Sequence, residues 1–356
     1  MSDLLAQRLR NQHLASPAFT DAADLVRWLG AVQAQDYPAA TWGVGQRLKN
    51  ATADAVERAF ADGRIVRTHI LRPTWHFVAP EDLKWMLALT APRVRMAIGY
   101  NCRRLGLDEP LLKRTNTAIA GARGDGRFLT REEISAVLRR RKIAADGLRL
   151  IHILARAELD GVICSGPRRG KRFTYALLDT RVPRAPALSR DEALAELTRR
   201  YFISRGPATL RDFVWWSGLT MADAKRGAEI VAGDIVESER RGVRYWSAGG
   251  PRRLRLSSHL LPVFDEYLIA YADRSDALRP AAGKAEGKPI FYWPVLVDGV
   301  VAGSWTRKVT SDRAIVAITG WRRLSGVERR DLEAAAQRYA SFLGKALALD
   351  WDRPRG

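Results

Sequence analysis

The feature that most constrains the fold of this 356-residue chain is an order of elements that occurs more than once. In residues 127–143 (RFLTREEISAVLRRRKI), Thr130 and Glu133 have the spacing of a helix N-terminus, and apolar residues follow at helical intervals. A second helix is predicted over 148–160, and residues 161–179 have the pattern strand, basic turn, strand. Helix, turn, helix and β-hairpin in this order indicate a winged helix-turn-helix.

The same order recurs in residues 191–247, where Gly218 lies in the turn between two predicted helices and Arg240, Arg241 and Gly242 form the tip of a predicted hairpin. It also fits residues 1–79. Helices are expected there at 7–16, 21–35 and 53–63, and strands at 65–70 and 74–78. The chain therefore predicts three tandem winged helices, which we place at 1–105, 106–186 and 187–250.

The C-terminal segment, 251–356, has a different pattern. It predicts a strand and a short helix in 252–275, a hairpin in 289–309 around Asp298-Gly299, one or two strands in 312–324, and a closing amphipathic helix over 326–349. Residues 181–190 are a candidate linker, and 281–289 are expected to form a flexible loop. We therefore predict a helix-rich α+β fold, with three winged helices and a β-containing segment around a concave basic channel.

The charge of the chain indicates a polyanionic partner. There are 59 Lys and Arg residues against 39 Asp and Glu, a formal net charge of +20. Such a charge is most often a sign of nucleic-acid binding. Only ten of the basic residues are lysine, and a GC-rich genome can cause this preference for arginine. That bias does not remove acidic residues, so double-stranded DNA remains the expected partner.

Other patterns set limits on location and chemistry. No run of about 18 apolar residues occurs, and the N-terminus lacks the apolar stretch of a signal peptide, so we expect a cytoplasmic, nucleoid-associated protein. The only cysteines, Cys102 and Cys164, are far apart, and the five histidines form no metal-binding pair. Glycine-rich nucleotide-binding motifs are absent. We therefore expect neither a metal nor an organic cofactor.

One short segment has the composition of a reactive site without strong acids or bases. Gln33 and Gln35 flank Ala34 where a predicted helix gives out before Pro38. On an extended chain both amides point to the same side, and Ala34 points to the other. Two amides can hold a water molecule and a sugar or base edge, but they cannot act as strong general bases. The alternative is that both amides only satisfy backbone groups at a helix end.

Further candidates lie on the predicted hairpins. Arg72, Trp75 and His76 are candidate DNA contacts on the first hairpin; alternatively they form a buried aromatic group with a hydrogen-bonded histidine. The second wing carries four candidate phosphate contacts that could equally be a solvated tip, Arg168, Arg169, Lys171 and Arg172. Glu237 and Glu239 weaken the field of Arg240 and Arg241 on the third wing.

Two further groups are each open to two interpretations. Of the adjacent tryptophans Trp215 and Trp216, we expect one in the core. The acidic stretch Asp265-Glu266-Tyr267 is expected to make structural hydrogen bonds. The alternative is that one of its carboxylates takes part in chemistry.

Four fragments in this order resemble a known family: the Gln33-Ala34-Gln35 motif after a helix with Trp-Leu-Gly, RTHILRPTWHFV, LPVFDEYLIAYADRS and VLVDGVVAGSW. Together they are similar to the AlkZ/YcaQ-type bacterial winged-helix DNA glycosylases, over nearly the whole chain. The resemblance implies three winged helices around a DNA channel. It also implies hydrolysis of the N-glycosidic bond of N7-alkylated purines and unhooking of interstrand crosslinks.

The resemblance also assigns residues. The family's catalytic motif is Gln–apolar–Gln in the AlkZ branch and Gln–apolar–Asp in the YcaQ branch, so Gln33 and Gln35 place this chain in the AlkZ-like branch. Asp36 is one residue too late for the acidic motif. A C-terminal β-hairpin contacts DNA in the family, and Ile290–Thr306, with Trp293, is the candidate here.

The expected chemistry suits weak catalysts. A purine alkylated at N7 is cationic and already a good leaving group, so a monofunctional enzyme needs only to place water against C1′. Crosslinked and bulky natural-product adducts would require an open, shallow site. The alternative is a non-enzymatic DNA-binding protein, such as a regulator or a lesion binder. No heptad repeat suggests a dimerisation helix, so we expect a monomer.

Overall fold

The structure is a computed structural model that describes residues 3–122, 128–183, 187–249, 257–278 and 292–352. It is a helix-rich α+β protein, as predicted. Its first part contains β1 (Val32–Gln33), β2 (Val66–His69), β3 (Trp75–Val78), a short 3-10 helix (Pro80–Asp82), and the helices α1 (Asp3–Asn11), α2 (Ala22–Leu29), α3 (Tyr37–Gly45), α4 (Ala53–Ala61) and α5 (Leu83–Arg104).

The segment with the two glutamines is a short strand and a bend between two helices, and the predicted helix over 21–35 is wrong in its second half. Helix α2 ends at Leu29, and Gly30 follows with a positive φ of 72°. Val32 and Gln33 then pair with Phe77 and His76 in an antiparallel sheet of order β1-β3-β2. Pro38 lies in the first turn of α3, where no backbone N–H is needed, so it begins a helix and does not end one.

The second part agrees well with its sequence pattern. It contains α6 (Glu109–Ala120), α7 (Arg131–Arg140), α8 (Gly147–Leu159), α9 (Leu178–Arg181), β4 (Leu129–Thr130), β5 (Ile163–Ser165) and β6 (Thr174–Leu177). The capping box of Thr130 and Glu133 is confirmed, with both reciprocal hydrogen bonds present. Three short strands form a sheet of order β4-β6-β5. Helices α5 and α6 were not predicted.

The third part has the predicted helix-turn-helix and hairpin. Its elements are α10 (Arg190–Arg205), α11 (Leu210–Ser217), α12 (Met221–Ile230), β7 (Val236–Arg240) and β8 (Val243–Ser247). At the hairpin tip, Arg241 and Gly242 have φ values of 52° and 76°, which is the geometry of a type I′ turn. Gly218 ends α11 with φ 72°.

The C-terminal part forms a five-stranded sheet of order β13-β12-β11-β10-β9. Its elements are β9 (His259–Leu260), α13 (Glu266–Ile269), β10 (Pro294–Val297), β11 (Val300–Val309), β12 (Arg313–Gly320), α14 (Gly326–Phe342) and β13 (Ala346–Asp352). Asp298 and Gly299 turn the predicted hairpin with φ values of 53° and 80°. The predicted closing helix is wrong at its end, since α14 stops at Phe342 and β13 pairs in parallel with β12.

Aromatic packing ties this sheet to the helix that follows the glutamine pair. The ring of Trp42 on α3 packs against Tyr339 at 5.1 Å, and Tyr339 packs against Trp305 at the same distance. Gly45 lies so close to Phe342 that a Cβ atom would collide with its ring. Helix α3 is therefore held by the C-terminal part of the chain.

Several predictions stay untested. We do not assign the number of winged helices from the structure, so the count of three stays a prediction. The division of the chain into 1–105, 106–186, 187–250 and 251–356 stays a prediction too. The predicted loop over 281–289 and part of the candidate linker over 181–190 lie outside the described residues. Within the described residues, every helix is too short or too polar to cross a membrane.

Candidate active site

Gln33 ends strand β1, Gln35 follows two residues later, and the backbone N–H groups of Gln33 and Ala34 are both hydrogen-bonded. The N–H of Gln33 donates to Oε1 of Glu266 over 2.9 Å, and the N–H of Ala34 donates to the carbonyl of Trp75 over 2.7 Å. Ala34 is fully buried, Gln33 is half-buried and Gln35 is exposed. As predicted, Ala34 faces the core; that both amides point to one common side stays a prediction.

A buried ion pair anchors the start of this strand. Oε2 of Glu266 accepts from Nη2 of Arg205 over 2.6 Å and from Nε1 of Trp216 over 3.1 Å. The same guanidinium donates to the carbonyls of Leu29 and Ala31 over 2.6 and 2.7 Å. Arg205 and Glu266 are 0% and 1% exposed. The structure therefore favours structural hydrogen bonding for Glu266 over participation in chemistry.

Its neighbour Asp265 has a similar structural role. The carboxylate accepts from Nη1 and Nη2 of Arg47 over 2.8 and 2.7 Å, and both side chains are buried. Arg47 also donates to the carbonyl of Gly43 on α3 over 2.7 Å. This second ion pair fixes α3, the helix that follows the glutamine pair.

The amide of Gln33 has one defined partner. Its Oε1 accepts from Nη2 of Arg72 over 2.8 Å. Arg72 lies in the turn between β2 and β3, where its carbonyl accepts from the N–H of Thr74 over 2.7 Å. Arg72 is half-buried as a whole, and burial lowers the pKa of its guanidinium. Arg72, predicted to contact DNA, is thus hydrogen-bonded to Gln33, predicted to be catalytic.

The backbone beside Gln35 is held by a stacked arginine. Nε of Arg67 donates to the carbonyl of Ala34 over 2.9 Å, and Nη2 lies 3.4 Å from the carbonyl of Gln35. The guanidinium packs between the rings of Trp75, at 4.4 Å, and Phe173, at 4.7 Å. Burial lowers the pKa of Arg67 to about 10. In contrast, the amide of Gln35 has only a long contact of 3.4 Å to the N–H of Trp75.

The second part of the chain supports Trp75 from behind. Its Nε1 donates to Oε1 of Glu158 on α8 over 3.3 Å, and Glu158 also binds the backbone N–H and the ring Nδ1 of His69. Glu158 is 1% exposed. Helix α8, the second helix of the predicted helix-turn-helix, therefore packs against the first sheet.

Known proteins share this combination of sequence and fold. A sequence model described as "DNA glycosylase AlkZ-like" matches residues 26–342, which include both glutamines. The chain belongs to the AlkZ-like DNA glycosylase family. The resemblance found in the sequence is thereby confirmed, and a purely regulatory DNA-binding protein is set aside in favour of a DNA glycosylase.

One characterised relative and one solved structure agree with this assignment. The "Interstrand DNA cross-link repair glycosylase" of Streptomyces sahachiroi is 26% identical over 329 residues, which are 85% of this chain and 86% of that protein. The structure of the Streptomyces sahachiroi DNA glycosylase AlkZ superposes with a TM-score of 0.79 at 22% identity, covering 99% of this chain and 98% of that one. The latter likeness concerns the fold.

The interior position of His76 in this AlkZ-like glycosylase corrects one prediction. The side chain is fully buried, and its Nδ1 lies 2.9 Å from the carbonyl of Thr74. Burial, with the nearby charge of Arg72, holds the pKa of His76 well below its usual range, so the ring is neutral. His76 therefore offers no surface to DNA, and the alternative of a buried histidine is the one observed.

The second wing contains two kinds of basic residue. Arg168 is half-buried, lies over the rings of Tyr37 and Phe173 at 5.1 and 5.5 Å, and has Nη1 3.4 Å from Glu57. Arg169 is exposed and donates to Glu133 over 2.8 Å. Lys171 and Arg172 are exposed, and no ion pair in the described part of the chain includes them. Through Arg168, the second wing thus packs against Tyr37 at the start of α3.

Trp293 lies elsewhere. Its ring meets Trp305 edge-on at 4.9 Å and is covered by the guanidinium of Arg307 at 3.5 Å. Trp293 therefore extends the series of packed rings formed by Trp42, Tyr339 and Trp305. The structure does not show it in contact with Gln33 or Gln35. Ile290, the first residue of the predicted DNA-contacting hairpin, lies outside the described residues.

The two glutamines differ in exposure: Gln35 is exposed, and Gln33 is half-buried beside Arg72. Five surface cavities of 330–560 Å³ occur in the described part of the chain, and none of these five is lined by Gln33 or Gln35. Nor do the described residues include a group of three or more His, Cys, Asp or Glu side chains that could hold a metal ion. The side chains near Gln33 and Gln35 include the guanidinium groups of Arg72 and Arg67 and the indole of Trp75, while the carboxylates of Glu266 and Asp36 accept from backbone N–H groups.

Proposed function

We propose that this glycosylase hydrolyses the N-glycosidic bond of N7-alkylated purines in double-stranded DNA, including crosslinked bases and bulky natural-product adducts. The observation that carries the proposal is the pair of glutamine side chains at the end of β1 and two residues beyond it, with the side chain of Gln35 exposed. The similarity to the Streptomyces sahachiroi interstrand DNA cross-link repair glycosylase supports the substrate class.

The charge of the substrate explains why amides can suffice. An N7-alkylated guanine is cationic, so breaking the C1′–N9 bond returns the electron pair to a ring that becomes neutral. Water then adds to C1′ of the oxocarbenium-like sugar and releases one proton to solvent. The protein needs to place this water, and positioning can contribute several kcal/mol. We assign this work to Gln35, with Gln33 orienting the water or the sugar.

The carboxylate nearest in sequence is committed to structure. Asp36 is the N-cap of α3, and its Oδ1 accepts from the N–H of Ala39 over 2.9 Å. It therefore serves the helix start, as a cap commonly does. Neutral amides remain as the polar groups of the motif, which matches a substrate that needs no strong base.

The exposed position of Gln35 fits large lesions. Most glycosylases flip the target base into an enclosed pocket, which a base crosslinked to the opposite strand cannot enter. Gln35 is exposed, and it lines none of the five cavities described above. A lesion that stays in the duplex could therefore still bring its C1′ to the amides.

Binding of duplex DNA by a monomer completes the proposal. The net charge of +20 gives attraction to phosphates, and exposed Lys171 and Arg172 are free to neutralise them. Arg169 would first have to leave Glu133. Arg168 acts closer to the motif, through its stacking on Tyr37.

The test is base release from a labelled duplex with one N7-methylguanine, followed by unhooking of a duplex with one interstrand crosslink. We expect release by the native protein, and a loss of about 100-fold in Gln33→Ala and in Gln35→Ala, about 2.7 kcal/mol of barrier, with duplex binding intact. Gln337→Ala, an exposed glutamine on α14, is the matched control. Release no faster than the spontaneous rate from both substrates would refute the proposal.

A further inference from the structure

The contact between Arg72 and Gln33 decides which end of the Gln33 amide faces outward. A guanidinium carries hydrogen-bond donors and no acceptor. The atom of Gln33 that lies 2.8 Å from Nη2 of Arg72 must therefore be the oxygen. The NH2 group is then turned away from Arg72, and Gln33 presents a donor to whatever binds there.

Arg72 is placed so that this orientation is stable. In the described part of the chain it has no ion pair, and Gln33 is the side chain to which it donates. The turn that carries Arg72 packs closely against Gly218 at the end of α11. A Cβ atom on Gly218 would lie only 2.5 Å from the carbonyl oxygen of Leu71. Arg72 is half-buried as a whole, and the Nε atom of its guanidinium is buried. Reorienting the Gln33 amide would thus leave a half-buried donor without an acceptor, which is costly.

Gln35 differs in each of these respects. Its side chain is exposed, and its oxygen lies 3.4 Å from the N–H of Trp75, a distance at which a hydrogen bond is weak. Rotation of this amide costs little, so its oxygen can turn toward a water molecule. The two glutamines are therefore chemically unequal, although the motif is symmetric in sequence.

We propose that Arg72 is a positioning residue that commits Gln33 to donate, through its NH2 group, to an oxygen of the lesion-bearing nucleotide. Gln35 is then the residue whose amide oxygen accepts from the attacking water. This assignment rests on the proposed function, since it divides the work of the same two glutamines. Arg72 acts through Gln33 and contacts neither the water nor the base.

A double-mutant cycle tests this division of roles. Single-turnover release of N7-methylguanine at saturating enzyme is measured for Arg72→Met, Gln33→Ala and the combined variant. If Arg72 acts through Gln33, each single variant loses about 100-fold, and the combined variant is no slower than Gln33→Ala. Losses that multiply in the combined variant would overturn the proposal.

Two conservative variants sharpen the result. Gln33→Glu keeps an acceptor for Arg72 but loses the NH2 group, so we expect a loss as large as that of Gln33→Ala. Arg72→Lys keeps a donor and should recover part of the Arg72→Met loss. Near-native release by Gln33→Glu would overturn the assignment of Gln33 as a donor.

Duplex affinity separates positioning from phosphate contact. A positioning residue leaves the Kd for undamaged duplex and its salt dependence unchanged, whereas a phosphate contact would make the salt slope shallower by about 0.9 when removed. Arg190→Met, an exposed arginine paired with Asp223, is the control for loss of a charge. A weakened Kd with native release at saturation would overturn the proposal. Native release by Gln33→Ala would instead remove Gln33 from the proposed function, and this inference with it.

Discussion

The segment that carries the glutamine pair and the tip of the second wing use arginine in opposite ways. Around β1, Arg205 and Arg67 are buried; Arg205 donates to the carbonyl of Ala31, just before the strand, and Arg67 donates to the carbonyl of Ala34 in the motif. At the wing tip, Arg169 is exposed and pairs with Glu133, while Lys171 and Arg172 face solvent. The same positive charge thus builds the geometry of a site in one region and a docking surface in the other.

This difference predicts that substitutions near β1 affect catalysis and stability, whereas substitutions at the wing tip affect DNA affinity. Buried guanidinium groups are expensive to leave unpaired, so losing a partner near β1 should disturb folding or the placement of the amides. Exposed basic residues contribute to attraction for phosphates and little to stability. Four predictions test the comparison, from the largest expected effect to the smallest.

Removing Glu266 should have the largest effect. Glu266→Ala leaves the buried guanidinium of Arg205 and the N–H groups of Gln33 and Trp216 without their acceptor. We expect the free energy of unfolding to fall by about 3–5 kcal/mol, measured by chemical denaturation. Glu239→Ala, an exposed glutamate on β7, is the control and should change it by less than about 0.5 kcal/mol. Equal effects of the two variants would contradict the anchoring role of Glu266.

Adding one methyl group at Gly218 should come next. Gly218 has φ 72°, and a Cβ atom there would meet the carbonyl oxygen of Leu71 at 2.5 Å. We expect Gly218→Ala to lose roughly 1–3 kcal/mol of unfolding free energy and to shift the turn that carries Arg72. Gly233→Ala, at an open position, is the comparison. Base release should fall in Gly218→Ala at temperatures where the variant is still folded; unchanged stability and release would contradict the packing described.

Acidification should destabilise the protein through its buried neutral histidines. Burial lowers the pKa of His259 to about 3 and that of His76 well below its usual range, so unfolding takes up protons at both below about pH 6.5. Above about pH 6.5 the two histidines cost the folded state nothing. As the pH falls below this value, the free energy of unfolding decreases by up to roughly 1.4 kcal/mol per pH unit for each histidine. When the free energy of unfolding is measured by denaturation between about pH 7 and pH 5, its dependence on pH should be weaker in His259→Asn than in the native protein. An unchanged slope would argue against a neutral His259.

Changes at the second wing should have the smallest effect on the fold. In the Lys171→Ala/Arg172→Ala double variant we expect the unfolding free energy to stay within about 0.5 kcal/mol of the native value. The slope of log affinity against log salt for duplex DNA should become shallower by about 1.8, if each residue neutralises one phosphate. An unchanged slope would mean that this wing points away from DNA.

Local patterns in the sequence predict the repeated elements well. The capping box at Thr130, the hairpin turn at Asp298-Gly299 and the inward position of Ala34 follow from short-range rules and occur as predicted. Pro38 is compatible with a helix end or a helix start, and the sequence did not decide between them. His76 was misjudged because β3 is the central strand of its sheet and is covered on both faces.

The supports of the site depend on contacts that sequence spacing does not reveal. Glu266 and Gln33 are 233 residues apart, and Arg205 and Glu266 are 61 apart. Arg67 could have been noticed as a charged residue in the predicted strand 65–70, but its stacking against Trp75 and Phe173 joins two parts of the chain. Such contacts appear only when the tertiary structure is known.

The most direct test measures chemistry and affinity side by side. The single-turnover rate of N7-methylguanine release and the Kd for the same duplex are determined for the native protein, Gln35→Ala and the Lys171→Ala/Arg172→Ala double variant. We predict that Gln35→Ala loses about 100-fold in rate with native Kd, and that the wing variant binds more weakly with native rate at saturation. Native release by Gln35→Ala would contradict the central claim that the amides of Gln33 and Gln35 form the active site.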